Sequence, residues 1–170
     1  MEKFIKKRIL DYRRRNKIQE IPLKVVGQLS IRVRYPGENE WTDLGVVSQA
    51  VVTQGAIAQL VAVLQGGSAT TLQNFKYHAS GTGTAAEAGT DISLGSEVET
   101  REVGTQTSTG PGNYRSVAAH TYNGTFAITE HGLFSAATGG VLFDRSKFAP
   151  ILVSPGTQIQ FTYDLQIIGS

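Results

Sequence analysis

The first fifteen residues carry apolar side chains at helical spacing. At 100° per residue, one arc collects the apolar positions Phe4, Ile5, Ile9 and Tyr12. The opposite arc is basic and holds Lys3, Lys6, Lys7, Arg13 and Arg14, whereas Leu10 breaks the pattern. This spacing is typical of a short amphipathic helix that needs a surface to lie on. The alternative is an arm that is disordered when the protein is alone.

From Leu23 onward, the apolar period changes to two, which is the period of half-buried strands. It predicts strands at about 29–35, 41–47, 75–79, 98–106, 141–144 and 148–153. Residues 114–130 form either one long strand or a hairpin that turns at Asn123-Gly124. The clearest alternation comes last, at Ile159, Phe161, Tyr163, Leu165 and Ile167. It predicts an antiparallel strand with one buried face.

One internal segment, residues 53–65, returns to helical spacing. Thr53 can cap its start and Gly66-Gly67 supplies its end. Because its apolar face is too large for a free helix, we expect it to pack on the body or to form half of a subunit contact. The patterns together predict a mainly β protein. We expect an antiparallel, jelly-roll-like β-sandwich over 23–170, with one packed helix, preceded by a basic N-terminal arm over 1–22.

The basic residues are concentrated near the N-terminus, which suggests that the arm binds a partner. Residues 1–34 hold eleven of the sixteen basic residues and three acids, a balance of +8, and the remaining residues hold five bases and eleven acids, a balance of −6. A positive arm on a negative body predicts an acidic partner. The residues expected to contact it are Phe4, Lys6, Lys7, Arg8, Ile9, Tyr12, Arg13, Arg14 and Arg15. No apolar run approaches the roughly 18 residues of a membrane span, and the basic start lacks the apolar region of a secretory signal.

Candidate chemistry is sparse. The absence of cysteine excludes disulfides, thiolate metal sites and cysteine nucleophiles. The stretch Ser80-Gly81-Thr82-Gly83-Thr84 looks like a phosphate loop but lacks the lysine of a Walker motif, so a flexible loop is favoured. His78, His120 and His131 have no metal-ligand spacing and are expected to be structural.

The acidic residues Asp91, Glu97, Glu99 and Glu102 form the remaining candidate. On a strand, Glu97 and Glu99 would share a face and could form a weak calcium site or an acid pair for sugar hydrolysis. A solvated sheet edge is the favoured interpretation. No Gly-x-Ser-x-Gly motif occurs. We therefore expect no enzymatic activity, no cofactor and no metal.

Several strings in the second half resemble small virion proteins of tailed bacteriophages. They are Tyr77-His78-Ala79-Ser80-Gly81-Thr82-Gly83-Thr84, Glu130-His131-Gly132-Leu133-Phe134 and Gly139-Gly140-Val141-Leu142-Phe143-Asp144-Arg145, followed by Lys147-Phe148. The resemblance covers residues 45–168, leaves the arm outside and carries no catalytic residues. These residues can also be explained by structural roles within the fold. Glu130 can accept backbone N–H groups near a turn, and Asp144 can pair with Arg145 or Arg101.

The resemblance implies a capsid decoration, or cement, protein on the virion surface. Its partner would be the major capsid protein or another virion protein, and the resemblance also implies a homo-oligomer, expected to be a trimer. A tail, fibre-base or head–tail connector protein is the alternative. A nucleic-acid-binding protein that uses the basic arm is an alternative from another class.

Overall fold

The structure is a computed structural model that describes Lys7 and residues 23–169. Lys7 is helical and exposed. The other predicted contact residues of the arm lie outside the described residues: Phe4, Lys6, Arg8, Ile9, Tyr12, Arg13, Arg14 and Arg15. The prediction of an arm over 1–22 falls there as well.

Residues 23–169 form nine strands and two helices. The strands are β1 Leu23–Arg34, β2 Thr42–Val52, β3 Tyr77–Gly81, β4 Glu97–Val103, β5 Thr105–Gly110, β6 Asn113–Thr121, β7 Phe126–Phe134, β8 Leu142–Val153 and β9 Gln158–Gly169. The helices are α1 Gln54–Leu64 and α2 Thr70–Gln73. Within residues 23–169, neither helix is long and apolar enough to cross a membrane. The prediction of a mainly β, antiparallel fold is confirmed.

The strands are hydrogen-bonded in the order β4-β3-β7-β8-β2-β1-β9-β6-β5. β2 joins two halves, because it pairs with β1 over most of its length and with β8 at Val51 and Val52. The two outermost strands, β4 and β5, follow each other in the chain with only Gly104 between them. β4 pairs with β3 at one edge of the strand order, and β5 pairs with β6 at the other edge. The sheet is therefore nearly closed on itself, and the expected jelly-roll sandwich is not confirmed.

Residues 114–130 are neither one strand nor a hairpin. β6 pairs with β5 and β9, whereas β7 pairs with β3 and β8. The segment from Tyr122 to Thr125 therefore carries the chain from one half of the sheet to the other. Tyr122 is held there because its backbone N–H donates to the Thr157 carbonyl at 2.9 Å.

The core lies between the two halves of the sheet. Its main cluster combines residues of β1 and β9 with residues of β7 and β8: Leu29, Ile31, Val33, Ile159, Phe161, Ile128, Ile151 and Val153, with Tyr122. The alternation predicted for the last strand is confirmed as far as Leu165, because Ile159, Phe161 and Tyr163 are fully buried, whereas Ile167 is 41% exposed. β9 pairs with β1 and β6 over nearly its whole length, so its inward face anchors three central strands.

Helix α1 forms where the helical spacing predicted it. The Thr53 hydroxyl accepts the Ala56 N–H at 3.2 Å, and Gly66 has a positive φ of 88° just after the helix. Both features satisfy backbone groups that helix ends leave free. Only Ala56 is buried, however, and Ile57, Val61 and Leu64 are exposed. The helix lies on the body along one side and offers an apolar side to solvent.

Candidate functional site

The strings that carry the phage resemblance converge on one buried carboxylate. Glu130 of β7 accepts backbone N–H groups from Gly83 at 2.8 Å, Gly95 at 3.1 Å and Ser96 at 2.9 Å. Its side chain has no exposed surface. Burial opposes ionisation, but these N–H donors and Arg145 outweigh it and lower the pKa of Glu130. Glu130 therefore accepts backbone N–H groups as predicted, but the donors lie 34 to 47 positions away in sequence and not at a turn beside it.

Arg145 completes this arrangement from β8. Its guanidinium donates to Glu130 at 2.8 Å and to Asp91 at 3.0 Å, and also to the carbonyls of Ala85 and Ala86. The loop 82–96 is thus fastened to β7 and β8 at both of its ends. The predicted pairing of Asp144 with Arg145 or Arg101 is wrong. Neighbouring strand residues point to opposite sides, so Asp144 faces the interior while Arg145 faces the loop.

The glycines of the apparent phosphate loop make room for that carboxylate. A Cβ atom on Gly81 or Gly83 would overlap the Glu130 side chain. The glycine-rich stretch therefore binds an anion as such loops do, but the anion is the protein's own glutamate. A Cβ atom on Gly132 would likewise overlap Leu142 and Leu94. Close packing therefore accounts for the glycines in the sequence strings that resemble virion proteins.

The three histidines meet inside the sheet although they are far apart in sequence. His78 Nδ1 and His131 Nε2 are 2.9 Å apart, and His78 Nε2 lies 2.8 Å from the Ser116 hydroxyl. Neutral His78 carries one N–H, so it donates one of these hydrogen bonds and accepts the other. Both ring nitrogens of His120 lack a hydrogen-bond partner. No sequence signal predicted this meeting, since the three residues lie on three different strands.

Burial sets the protonation of this interior cluster. It lowers the pKa of His78 to about 3 and that of His120 to about 4, and it lowers the pKa of His131 well below its ordinary value. All three are neutral at physiological pH. Burial also raises the pKa of Asp144 to about 7, an effect that the nearby Tyr163 hydroxyl opposes, although neither side chain has a hydrogen-bond partner of good geometry.

Three of the four acidic candidates, Asp91, Glu97 and Glu99, are engaged in structural contacts. Glu97 binds Arg101 through two contacts of 2.7 and 3.0 Å, and Asp91 binds Arg145. Glu99 has a positive φ of 57° and accepts the Asn123 N–H, so it does not alternate regularly with Glu97. The shared-face acid pair is therefore not formed. Within residues 23–169, no group of three or more acidic or histidine side chains is placed to hold a metal ion.

The candidate binding site is an apolar pocket at the α1 end of the sheet. It has a volume of about 220 Å³. Its walls come from α1, α2 and the ends of several strands, and include Val25, Phe75, Leu133, Phe143 and Ile167. Almost all of its lining is hydrocarbon, which favours an apolar ligand or side chain over a charged one.

The exposed side of α1 continues this pocket. Ile57 and Leu60 line the pocket, while Val61 is 45% exposed and Leu64 is 80% exposed. Ile57, Val61 and Leu64 follow i, i+4, i+7 spacing and share one face of the helix. Residues 44–75 contain no charged side chain at all. That uncharged run was the sequence signal for this surface, because exposed helices ordinarily carry charges on their solvent side.

Comparison with known proteins adds no assignment. The chain matches no family model, no curated protein and no solved structure.

Proposed function

We propose that this chain is a non-catalytic structural protein of a tailed-bacteriophage virion, acting as a capsid decoration protein. The observation that carries the proposal is the uncharged, apolar surface formed by α1 and its pocket. Such a surface has a clear use in association, since burying it against another subunit removes hydrocarbon from water. The resemblance of the Glu130 and Gly81–Thr84 strings supports the virion setting.

The burial and hydrogen bonding of the polar residues support a binding role and not a catalytic one. The histidines are enclosed and neutral, and Glu130 is saturated with hydrogen-bond donors. A decoration protein acts by adding contacts that favour the assembled lattice over separate subunits. In this proposal, the arm would contact an acidic face of the major capsid protein or of another virion protein. The jelly-roll-like sandwich remains part of the proposal, supported by a core that two β halves share.

Copy number in the particle tests this function. We expect the full-length chain to be stoichiometric with the shell protein in purified particles of the source phage. It should also rebind saturably to particles from which it has been removed. A low copy number would instead support a tail or connector role, and complete absence from particles would refute the virion assignment.

Self-association through α1 is tested separately. In the proposed trimer, Val61→Glu or Leu64→Glu would place a carboxylate in an apolar contact, and we expect either variant to lower the mass measured by light scattering. Leu152→Glu is the matched control, because Leu152 is 70% exposed and lies near the other end of β8. If the parent protein is a strict monomer at high micromolar concentration, the helix is not a subunit contact.

A further inference from the structure

The nearly closed sheet has a seam where the two ends of the strand order meet. β4 is the last strand at one end of that order, and β5 is the last strand at the other. β4 lies against β6, but within residues 23–169 no strand ladder joins β4 to β5 or to β6. Ladder hydrogen bonds hold the other neighbouring strands together. The closure of the sheet at the seam therefore depends on side chains and on the chain connection through Gly104.

The buried histidines lie on both sides of this seam. His78 is on β3, the neighbour of β4, and His120 is on β6, the neighbour of β5. The 2.8 Å contact between His78 Nε2 and the Ser116 hydroxyl joins β3 to β6. A Cβ atom on Gly104 would overlap both of these atoms, so the contact lies directly beneath the connection between β4 and β5. Side chains of the histidine cluster therefore hold the seam closed.

The third histidine extends the cluster into the sheet. His131 Nε2 of β7 lies 2.9 Å from His78 Nδ1, and the His131 ring packs against Phe161 with ring centroids 4.7 Å apart. All three imidazoles are buried, since the exposed fraction is 0% for His78 and His131 and 2% for His120. A charged imidazole at these positions would lose its hydration, and this burial favours the neutral form.

The charged residues of β4 do not compensate for the burial. Glu97 and Glu99 favour the charged form of His120, but burial outweighs them and lowers the pKa of His120 to about 4. Glu97 is already paired with Arg101, and Glu99 accepts the backbone N–H of Asn123. Neither carboxylate is therefore placed as the counter-ion of a buried imidazolium.

The other titratable neighbours supply no counter-ion either. Glu102 lies opposite His78 in the β3–β4 register, yet the pKa of His78 falls to about 3, chiefly through burial. Burial raises the pKa of Asp144 on β8 to about 7, so this carboxyl group is mostly protonated at pH 5. Burial also raises the pKa of the tyrosines around the cluster, which are Tyr114, Tyr122 and Tyr163. The charged residues that contact loop 82–96 instead are Glu130, Arg145 and Lys147.

From this arrangement we infer that the histidine cluster is a pH-sensitive switch that opens the seam in acid. While His78, His120 and His131 are neutral, they hold β3 against β6. When His78 and His131 both carry a second proton, the 2.9 Å contact between them has no acceptor, and their positive charges repel each other. Opening the seam lets water reach the three rings and leaves the β1–β9 pairing in place. This inference concerns a single molecule in solution and does not depend on the virion function.

The direction of the shifts fixes the pH window. The pKa of His78 falls from 6.5 to about 3 in the closed sheet, and that of His120 falls from 6.5 to about 4. The open form therefore takes up protons first, and the closed form loses stability as the pH falls from 6.5 toward 4. Asp144 acts in the opposite direction, because its folded pKa of about 7 lies above the ordinary 3.8. Glu130 keeps its stabilising effect above pH 4.5, so opening between pH 6.5 and 5 reports the histidines.

Hydrogen exchange of individual amides in the full-length protein tests this inference. NMR at pH 7 and pH 5 gives protection factors, which correct for the effect of pH on the intrinsic exchange rate. Over this range, His78 and His120 should each increase opening about twenty-fivefold. We therefore expect the protection factors of the β3–β4 and β5–β6 ladders to fall by at least about a hundredfold. At pH 5 they should also lie at least about tenfold below those of the β1–β9 ladder.

Two results of this experiment would overturn the inference. Unchanged protection of the seam ladders between pH 7 and pH 5 would show that the seam does not respond to acid. Equal protection of the seam ladders and the β1–β9 ladder at pH 5 would show that acid unfolds the whole sheet at once.

Two variants identify the histidines as the cause. His78→Gln keeps a hydrogen-bond donor and an acceptor next to Ser116 and His131 but cannot take up a proton. His120→Phe removes a second proton site, whose ring nitrogens have no hydrogen-bond partner. Each variant should make the fall in seam protection about twenty-fivefold smaller, whereas Asp43→Asn, at an exposed ion pair, should leave it unchanged. If either histidine variant folds at pH 7 and shows the full fall of the parent, the inference is wrong.

Discussion

Replacing Glu130 by glutamine tests whether one buried carboxylate holds loop 82–96 on the body. The amide can keep one oxygen for Gly83 and Ser96, but it presents an N–H₂ group where Gly95 and Arg145 now donate. Hydrogen bonds to a charged group contribute about 1.5–3 kcal/mol each, and two are lost. Removing one partner of a buried ion pair typically destabilises a protein by about 3–5 kcal/mol, which agrees with the sum of the two hydrogen bonds. We therefore expect the free energy of unfolding to fall by about 3–5 kcal/mol.

Urea denaturation followed by circular dichroism measures this change, with Asp43→Asn as the control. Asp43 binds Arg32 in an exposed pair, so its loss should leave the midpoint almost unchanged. The pKa of Glu130 is lowered in the folded state, so its stabilisation is present above its ordinary pKa of 4.5 and is lost as the pH falls through the lower folded value. The difference between parent and Glu130→Gln should therefore shrink in acid. A loss below about 1 kcal/mol at pH 7 would show that the carboxylate does not hold the loop.

Three further substitutions probe the interior. His120→Phe removes two unpartnered ring nitrogens. Because the pKa of His120 falls from 6.5 to about 4 on folding, the unfolded state takes up its proton first, and urea titrations should show that the variant loses less stability than the parent between pH 6.5 and 4. Asp144→Asn should stabilise the protein at pH 8 and have little effect near pH 4. The reason is that the pKa of Asp144 is about 7 in the folded state and 3.8 ordinarily, so ionisation of this carboxyl group favours the unfolded state as the pH rises. Equal urea midpoints for the parent and the variant at pH 8 would contradict this prediction. Gly104→Ala should lower the melting temperature, with a cost of about 1–3 kcal/mol, since its Cβ would overlap Ser116 and His78, whereas Gly89→Ala, which meets only an ordinary contact, should not.

Local features were readable from the sequence because they depend on neighbours in the chain. Helix α1 needed only its spacing, the Thr53 cap and the Gly66 stop, all of which act within one or two turns. The alternation from Ile159 to Leu165 predicted β9 for the same reason, since side chains of a strand alternate without regard to its partner.

The pairing of the strands was decided by the tertiary structure. The turn signal at Asn123-Gly124 is compatible with a hairpin, which was one of the two alternatives for residues 114–130, yet β6 and β7 belong to different halves of the sheet. The strand ladders are made by partners that are distant in sequence, as β6 is from β9. Local turn chemistry does not encode that choice.

The candidate sites show the same division. The sequence by itself indicated that Glu130 could accept backbone N–H groups near a turn. Only the tertiary structure decided that Gly83, Gly95 and Arg145 surround that carboxylate, and that three histidines meet inside. Each such contact joins residues between 15 and 53 positions apart, at the closest Glu130 to Arg145 and at the furthest His78 to His131. Their meeting depends on the register of several strands at once, and a register is set by the packing of the whole core.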